Sequence, residues 1–189
     1  MIKPHGADAL NPRFVYDTER HHALAKEAES MPSLLVSSAT AANAVMLGGG
    51  YFTPLDGYMT LADAMSVAEK MQTESGVFFP VPVLNMVQAA DGIKTGDRIA
   101  LRDPNVDGHP VIAVMDVTGV DVASDDQLDY ITEQVFGTLD PEHPGVKTFK
   151  SQGSTFLSGP IEVLSFSYFQ ADFPDTFRTA VEIRNEIAE

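Results

Sequence analysis

Gly48-Gly49-Gly50-Tyr51-Phe52-Thr53-Pro54-Leu55-Asp56-Gly57-Tyr58-Met59 is the stretch on which the reading of this chain turns. It crowds glycines, a proline and aromatic rings between two helix-like segments, a combination that fixes a backbone shape. Gly48 to Gly50 can end a helix in left-handed geometry, Pro54 pins the chain and deletes a donor, and Gly57 supplies a second permissive point. Tyr51, Phe52 and Tyr58 can anchor the loop by burying ring surface.

On the amino-terminal side of the loop, Ser38 or Thr40 opens an alanine-rich helix running to Leu47. Earlier still, Asp17 before Thr18-Glu19-Arg20 caps a helix that stops before Pro32, because the residue preceding a proline disfavours helix. Leu34-Leu35-Val36 lies between them as a short strand. On the other side, Thr60 with Asp63 three residues later is a capping-box-like start to a helix over 60–71.

The middle of the chain changes period. Val81-Pro82-Val83-Leu84-Asn85-Met86-Val87, Arg98-Ile99-Ala100-Leu101 and Val111-Ile112-Ala113-Val114-Met115-Asp116-Val117 are β-rich runs bounded by Asp91-Gly92, Thr95-Gly96-Asp97 and Asp107-Gly108. Pro80 and Pro82 place the first run at an edge or a bulge. Ser124 followed by Gln127 caps a helix through Phe136. Residues 153–159 read as a loop entering a strand at Ile161-Glu162-Val163-Leu164. Pro174 starts a last helix over 174–189, with Phe177, Val181, Arg184 and Ala188 on one face. The expected class is α+β: a small antiparallel sheet or barrel with flanking helices.

A chain of 189 residues suggests about one domain with a fragment of a second. Hydrophobic content of 44% and charged content of 21% are ordinary for a soluble globular protein. The unusual figure is charge: 27 acidic against 12 basic side chains give a net charge of -15, which makes contact with phosphate backbones unfavourable and argues against nucleic acid. The absence of cysteine removes disulfides, thiolate nucleophiles and sulfur-ligated zinc. Met1-Ile2-Lys3-Pro4-His5-Gly6 begins no apolar run of signal-peptide length, and no stretch approaches the roughly 20 apolar residues of a membrane helix. A cytoplasmic location and no membrane partner are expected.

Local motifs resolve into structure rather than chemistry. Asp103-Pro104-Asn105-Val106-Asp107-Gly108 mimics the first half of a calcium loop, yet Val114 stands where a bidentate glutamate belongs, so a hairpin turn is expected. His21 and His22 diverge by about 100° on a helix and cannot easily grip one ion. His5, His109 and His143 are scattered in loop sequence. Gly48-Gly49-Gly50 does not continue as a dinucleotide fingerprint, and no P-loop or nucleophile elbow occurs. Asp125-Asp126 suits the first turn of a helix. No catalytic, cofactor-binding or metal-binding residue is assigned in this chain.

The opening segment resembles the Gly-x-Phe-Ser-Pro-Leu-x-Gly-Phe-Met stretch of the ATP sulfurylase (sulfate adenylyltransferase) family, with Thr53 in place of serine. Pro4-His5-Gly6 with Leu10 resembles that family's opening. Val135-Phe136-Gly137-Thr138-Leu139-Asp140-Pro141-Glu142-His143-Pro144-Gly145-Val146 and Leu157-Ser158-Gly159-Pro160-Ile161-Glu162-Val163-Leu164 resemble two further segments, in order, so the resemblance covers essentially the whole chain. It implies an amino-terminal PUA-like domain over 1–168 and, over 169–189, the first helix of an α/β nucleotidyltransferase domain, truncated before its catalytic motif. The family's Gln-x-Arg-Asn-x-x-His is not matched by Arg184-Asn185: no glutamine precedes it at the right place and no histidine follows.

For the complete enzyme the resemblance implies ATP and sulfate as substrates, Mg²⁺, release of adenosine 5′-phosphosulfate and pyrophosphate, and a homo-oligomer whose nearest partner is its own catalytic domain. This chain by itself is expected to be an inactive scaffold and subunit contact with no cofactor of its own. The rival reading is a stand-alone PUA-like RNA-binding module, for which Lys94, Arg98 and Arg102 form the only close basic cluster in the β region.

Overall fold

The computed structural model describes residues 2–188; Met1 and Glu189, the outer ends of the two expected domain spans, lie outside the described residues. In chain order the elements are α1 (Thr18–Ala28), β1 (Ser33–Leu35), α2 (Ser38–Gly48), β2 (Gly57–Tyr58), α3 (Leu61–Lys70), β3 (Met86–Val87), β4 (Arg98–Arg102), β5 (Val111–Asp116), β6 (Gly119–Val122), α4 (Asp125–Phe136), α5 (Pro144–Ser151), β7 (Thr155–Val163), α6 (Phe169–Asp172) and α7 (Ala180–Ala188). They fall into two compact units: residues 2–57, 98–116 and 160–188 form one, residues 58–97 and 117–159 the other.

In the first unit the strands run in the order β1, β4, β5 and the end of β7. β4 and β5 form an antiparallel hairpin and β5 pairs antiparallel with β7, Met115 opposite Ile161. β1 runs parallel to β4, Leu34 opposite Leu101, so the otherwise antiparallel sheet is mixed. Helix α1 starts where Asp17 accepts the Arg20 N–H at 2.7 Å. Helix α2 is capped by Ser37, one residue before the expected Ser38, through the Thr40 N–H at 3.1 Å. Both helices pack against β5. Leu24, Ala28, Ala100, Val114 and Leu164 close a dry core, in which full burial of each leucine is worth about 1.5–3 kcal/mol.

In the second unit α3 begins at Thr60 and ends at Met71, which takes left-handed geometry at φ 54°. Here Asp63 departs from a closed capping box: its carboxylate accepts the Thr60 hydroxyl and, from beyond the helix, the Glu74 N–H at 2.9 Å. Ser124 and Gln127 do close one at the start of α4, and Gly137 ends that helix at φ 72°. Helix α4 packs against α3 and α5. The start of β7 is central to this unit's sheet, with Phe156 opposite Met86 of β3 on one side and Asp121 of β6 on the other.

Three expected boundaries move. Of the run 81–87 only Met86–Val87 is strand, because Pro80 and Pro82 have no N–H to give a ladder. Its carbonyls are still used: Val83 accepts from Met59 N and Asn85 from Leu157 N, each at 2.9 Å. The late strand starts at Thr155 rather than Ile161, since two neighbouring strands pair with the segment that reads as loop. The last helix starts at Ala180 rather than Pro174; residues 174–176 form a turn and 177–179 are irregular, and the short helix α6 precedes them. Gly48 is buried, and a Cβ on it would sit 2.9 Å from Val163 Cγ1 and 3.2 Å from Phe166 Cε1. Replacing Gly48 by alanine is expected to lower stability by about 1–3 kcal/mol through overpacking, read as a lower urea midpoint at unchanged slope; an unshifted midpoint would refute the close approach.

Candidate functional site

A helix ends with carbonyls that have no partner within it. At the end of α2 other segments of the first unit supply the donors. Leu47 O accepts Arg13 N at 3.0 Å, Gly48 O accepts Phe14 N at 3.3 Å and Gly49 O accepts Ala180 N at 2.9 Å. Ala180 opens α7, so the electronegative end of one helix meets an orphan donor at the electropositive end of another. Gly50, at φ 80°, is the one glycine of the triplet that turns left-handed; Gly49 stays helical at φ -73°.

The loop that follows is tied on both sides. Thr53 Oγ1 accepts from Asn11 N at 2.9 Å and donates to Gly50 O at 2.8 Å, while the Asn11 amide donates to Pro54 O and Leu55 O. The Thr53–Pro54 peptide is cis. Asp56 O accepts Ile161 N at 2.9 Å. Tyr51 is 41% exposed and works instead through its hydroxyl, which donates to Arg178 O at 2.7 Å. Residues 48–56 thereby hold together the amino-terminal segment, β7 and the segment 169–188.

Helix α7 has its own cap. Glu182 accepts the Thr179 N–H at 2.7 Å and the Thr179 hydroxyl at 2.8 Å, and Thr179 Oγ1 accepts Glu182 N at 3.3 Å. The backbone bond from Thr179, then the bond from its hydroxyl, holds the Glu182 carboxyl below the usual glutamate value. Burial pushes the Tyr16 and Tyr51 phenols up, and the Glu182 charge adds to both. The Thr-x-x-Glu spacing was readable in the sequence, although Pro174 drew the helix start to itself.

The remaining candidates have local partners. His21 Nε2 lies 2.8 Å from Leu164 O, with its ring 5.8 Å from that of Phe14. His109 Nδ1 donates to Asp103 O at 3.1 Å. His143, an unforeseen cap, accepts Val146 N at 3.4 Å and starts α5 ahead of Pro144. In the turn after β4, Asp103 Oδ1 accepts Asn105 N at 2.8 Å and His109 N donates to Val106 O. No group of three His, Cys, Asp or Glu able to hold a metal ion occurs among the described residues.

The arginine side chains are committed as well. Arg98 reaches Glu27 at 3.2 Å, Asp116 at 3.2 Å and Glu162 at 2.6 Å; Arg20 adds a second cation on Glu162; Arg102 donates to His109 O. In an open pocket near the amino terminus, Lys3 pairs with Asp8 and Arg184 donates to Ile2 O at 2.8 Å. What the arrangement can do is position a helix.

This architecture is that of an α+β PUA-like module. Residues 2–166 match the PUA-like domain family, and the chain belongs to that family. All 189 residues align at 66% identity with a sulfate adenylyltransferase of Allochromatium vinosum, covering 48% of that protein. The same extent aligns at 55% identity with the sulfate adenylyltransferase of Alcanivorax borkumensis, 47% of which is covered. The chain thus spans about half the length of the curated relatives it matches. Among solved structures it resembles a hexameric APS kinase from Thiobacillus denitrificans, with a TM-score of 0.71 and 25% identity over 100% of this chain and 31% of that one. No described helix is long and apolar enough to cross a membrane.

Replacing Thr179 by alanine should cost about 0.5–2 kcal/mol at neutral pH, as for other helix caps. The folded Glu182 carboxyl lies below its ordinary value of 4.5, so its contribution is full above that pH and fades as pH falls through the lowered value. Urea titrations of both proteins should therefore draw closer as pH falls through that lowered value, by the share the Thr179 hydroxyl gives the carboxylate; a gap independent of pH would disprove the cap's charge component.

Proposed function

We propose that this chain is the PUA-like half of a sulfate adenylyltransferase, the enzyme that converts ATP and sulfate to adenosine 5′-phosphosulfate and pyrophosphate. The observation that carries the reading is full-length alignment at 66% identity to a protein of that name, of which it covers 48%. In this reading residues 1–168 are the platform and residues 169–189 lead into the catalytic half. The groups that bind ATP, Mg²⁺ and sulfate then belong to that other half, and the platform contributes position.

The bonds from Gly49 and Tyr51 to residues 178–180 support a positioning role, because they fix the entry of α7 through main-chain atoms. The three carboxylates around Arg98 weigh against an RNA-binding module, since a phosphate would have to displace them. A cytoplasmic location and assembly into a homo-oligomer are part of the proposal; for assembly the support is the hexameric state named for the Thiobacillus neighbour.

The test uses two proteins in a coupled pyrophosphate assay. The 189-residue chain alone should release no pyrophosphate above background. The same chain joined to the remaining portion of the Allochromatium enzyme should turn over ATP and sulfate within about tenfold of the Allochromatium parent, a loss of no more than about 1.4 kcal/mol in transition-state stabilisation. Activity of the chain alone, or an inactive chimera beside an active parent, would overturn the reading.

A further inference from the structure

Within the first unit, an open groove of about 330 Å³ separates α2 from the segment that follows the PUA-like match. One wall is Ala42, Val45 and Met46; the other is Phe169, Phe177 and Ile183. Val45 is buried, but Ala42 is exposed and Met46 only half-buried, so the α2 wall presents uncovered apolar surface. One turn beyond Ile183 on the same helix face, Ile187 is 76% exposed and lengthens the strip. The one charged residue in the lining, Arg178, is paired with Glu186 at 2.8 Å. An apolar floor with a polar rim is the anatomy of a protein-protein contact.

We infer that this groove is the seat of the catalytic half of the enzyme, which lays an apolar-faced segment between α2 and α7. The inference rests on the functional reading above and adds the place of contact. The carboxy-terminal wall lies outside residues 2–166, so it is built by the chain that leaves the PUA-like domain. The relatives carry more than half their length outside the match, enough chain to cover it. A second copy is the poorer occupant: with a net charge of -15 on each chain, like surfaces would be brought together around Glu182 and Glu186.

The chain has no cysteine, which allows a direct measurement. Ala42→Cys places a small thiol on the exposed groove wall, and Val122→Cys, at a site 70% exposed in the other unit, serves as the reference. Maleimide labelling is followed at each cysteine by peptide mass spectrometry, in the chain alone and in the chimera with the Allochromatium catalytic portion. At position 42 labelling should slow at least tenfold in the chimera and not in the chain alone, while position 122 reacts alike in both.

Equal reactivity at position 42 in an active chimera would overturn the groove and leave the functional reading standing. An inactive chimera strikes at that reading instead. Slowing at position 42 in the chain alone that grows with protein concentration would assign the groove to a second copy. Equal slowing at positions 42 and 122 would show shielding that is not local, and either result would overturn the inference. As a second readout, Ala42→Arg should lower the temperature at which the chimera loses activity without changing that at which the chain alone unfolds; equal shifts in both would count against it.

Discussion

The carbonyl of Gly49 belongs to the row of acceptors on which the first unit's outer segments converge. It is one of the orphan groups at the end of α2, and it takes the N–H of Ala180 while its neighbours Leu47 and Gly48 take Arg13 and Phe14. Left without Phe14 N and Ala180 N, the Gly48 and Gly49 carbonyls, enclosed among buried glycines, would each cost about 1–3 kcal/mol. Two chain segments far apart in sequence are therefore brought to one helix end by main-chain groups. Gly48 permits it, because a side chain there would strike Val163 and Phe166 and push β7 away from the helix.

The same economy governs charge. In a chain with 12 basic residues against 27 acidic, arginines act as cross-links. Arg98 joins the sequence-distant Glu27, Asp116 and Glu162; Arg13 donates to Ile161 O; Arg178 spans the first turns of α7 to Glu186. Exposed pairs of this kind contribute little singly, and a three-carboxylate cluster on one guanidinium contributes more because one ordered side chain serves several partners. Cations spent in this way hold the platform together and are not free to meet a nucleotide.

Capping chemistry was the most legible part of the sequence. Asp17, Thr60 and the Ser124–Gln127 pair mark helix starts that the structure reproduces, because caps are local and depend on few neighbours. The β4–β5 hairpin was legible for the same reason. What was not legible depends on distant partners. Residues 155–159, with Gly159 among them, read as loop and become strand because β3 and β6 pair with residues 155–158 of β7. The run 81–85 reads as strand but forms none; Val83, Leu84 and Asn85 are nonetheless buried, so hydrophobicity reported burial correctly and hydrogen bonding wrongly. At the candidate site the glycine triplet announced a helix end, but nothing in its sequence named Ala180 as the donor.

A reaction between two anions, sulfate and a nucleotide phosphate, needs positive charge at the reacting atoms and accurate placement of both partners. If this chain is half of such an enzyme, its acidic surface and committed arginines suit it to the second requirement alone. Placement by main-chain hydrogen bonds serves that end, since Gly49 O and Ala180 N have no rotamers to sample, whereas a long side-chain link would let the next element drift. Misplacement by about 1 Å at a reacting centre can cost about a hundredfold in rate. On that proposal, the direction in which α7 leaves the end of α2 would bear on turnover even with the reacting groups in the other half.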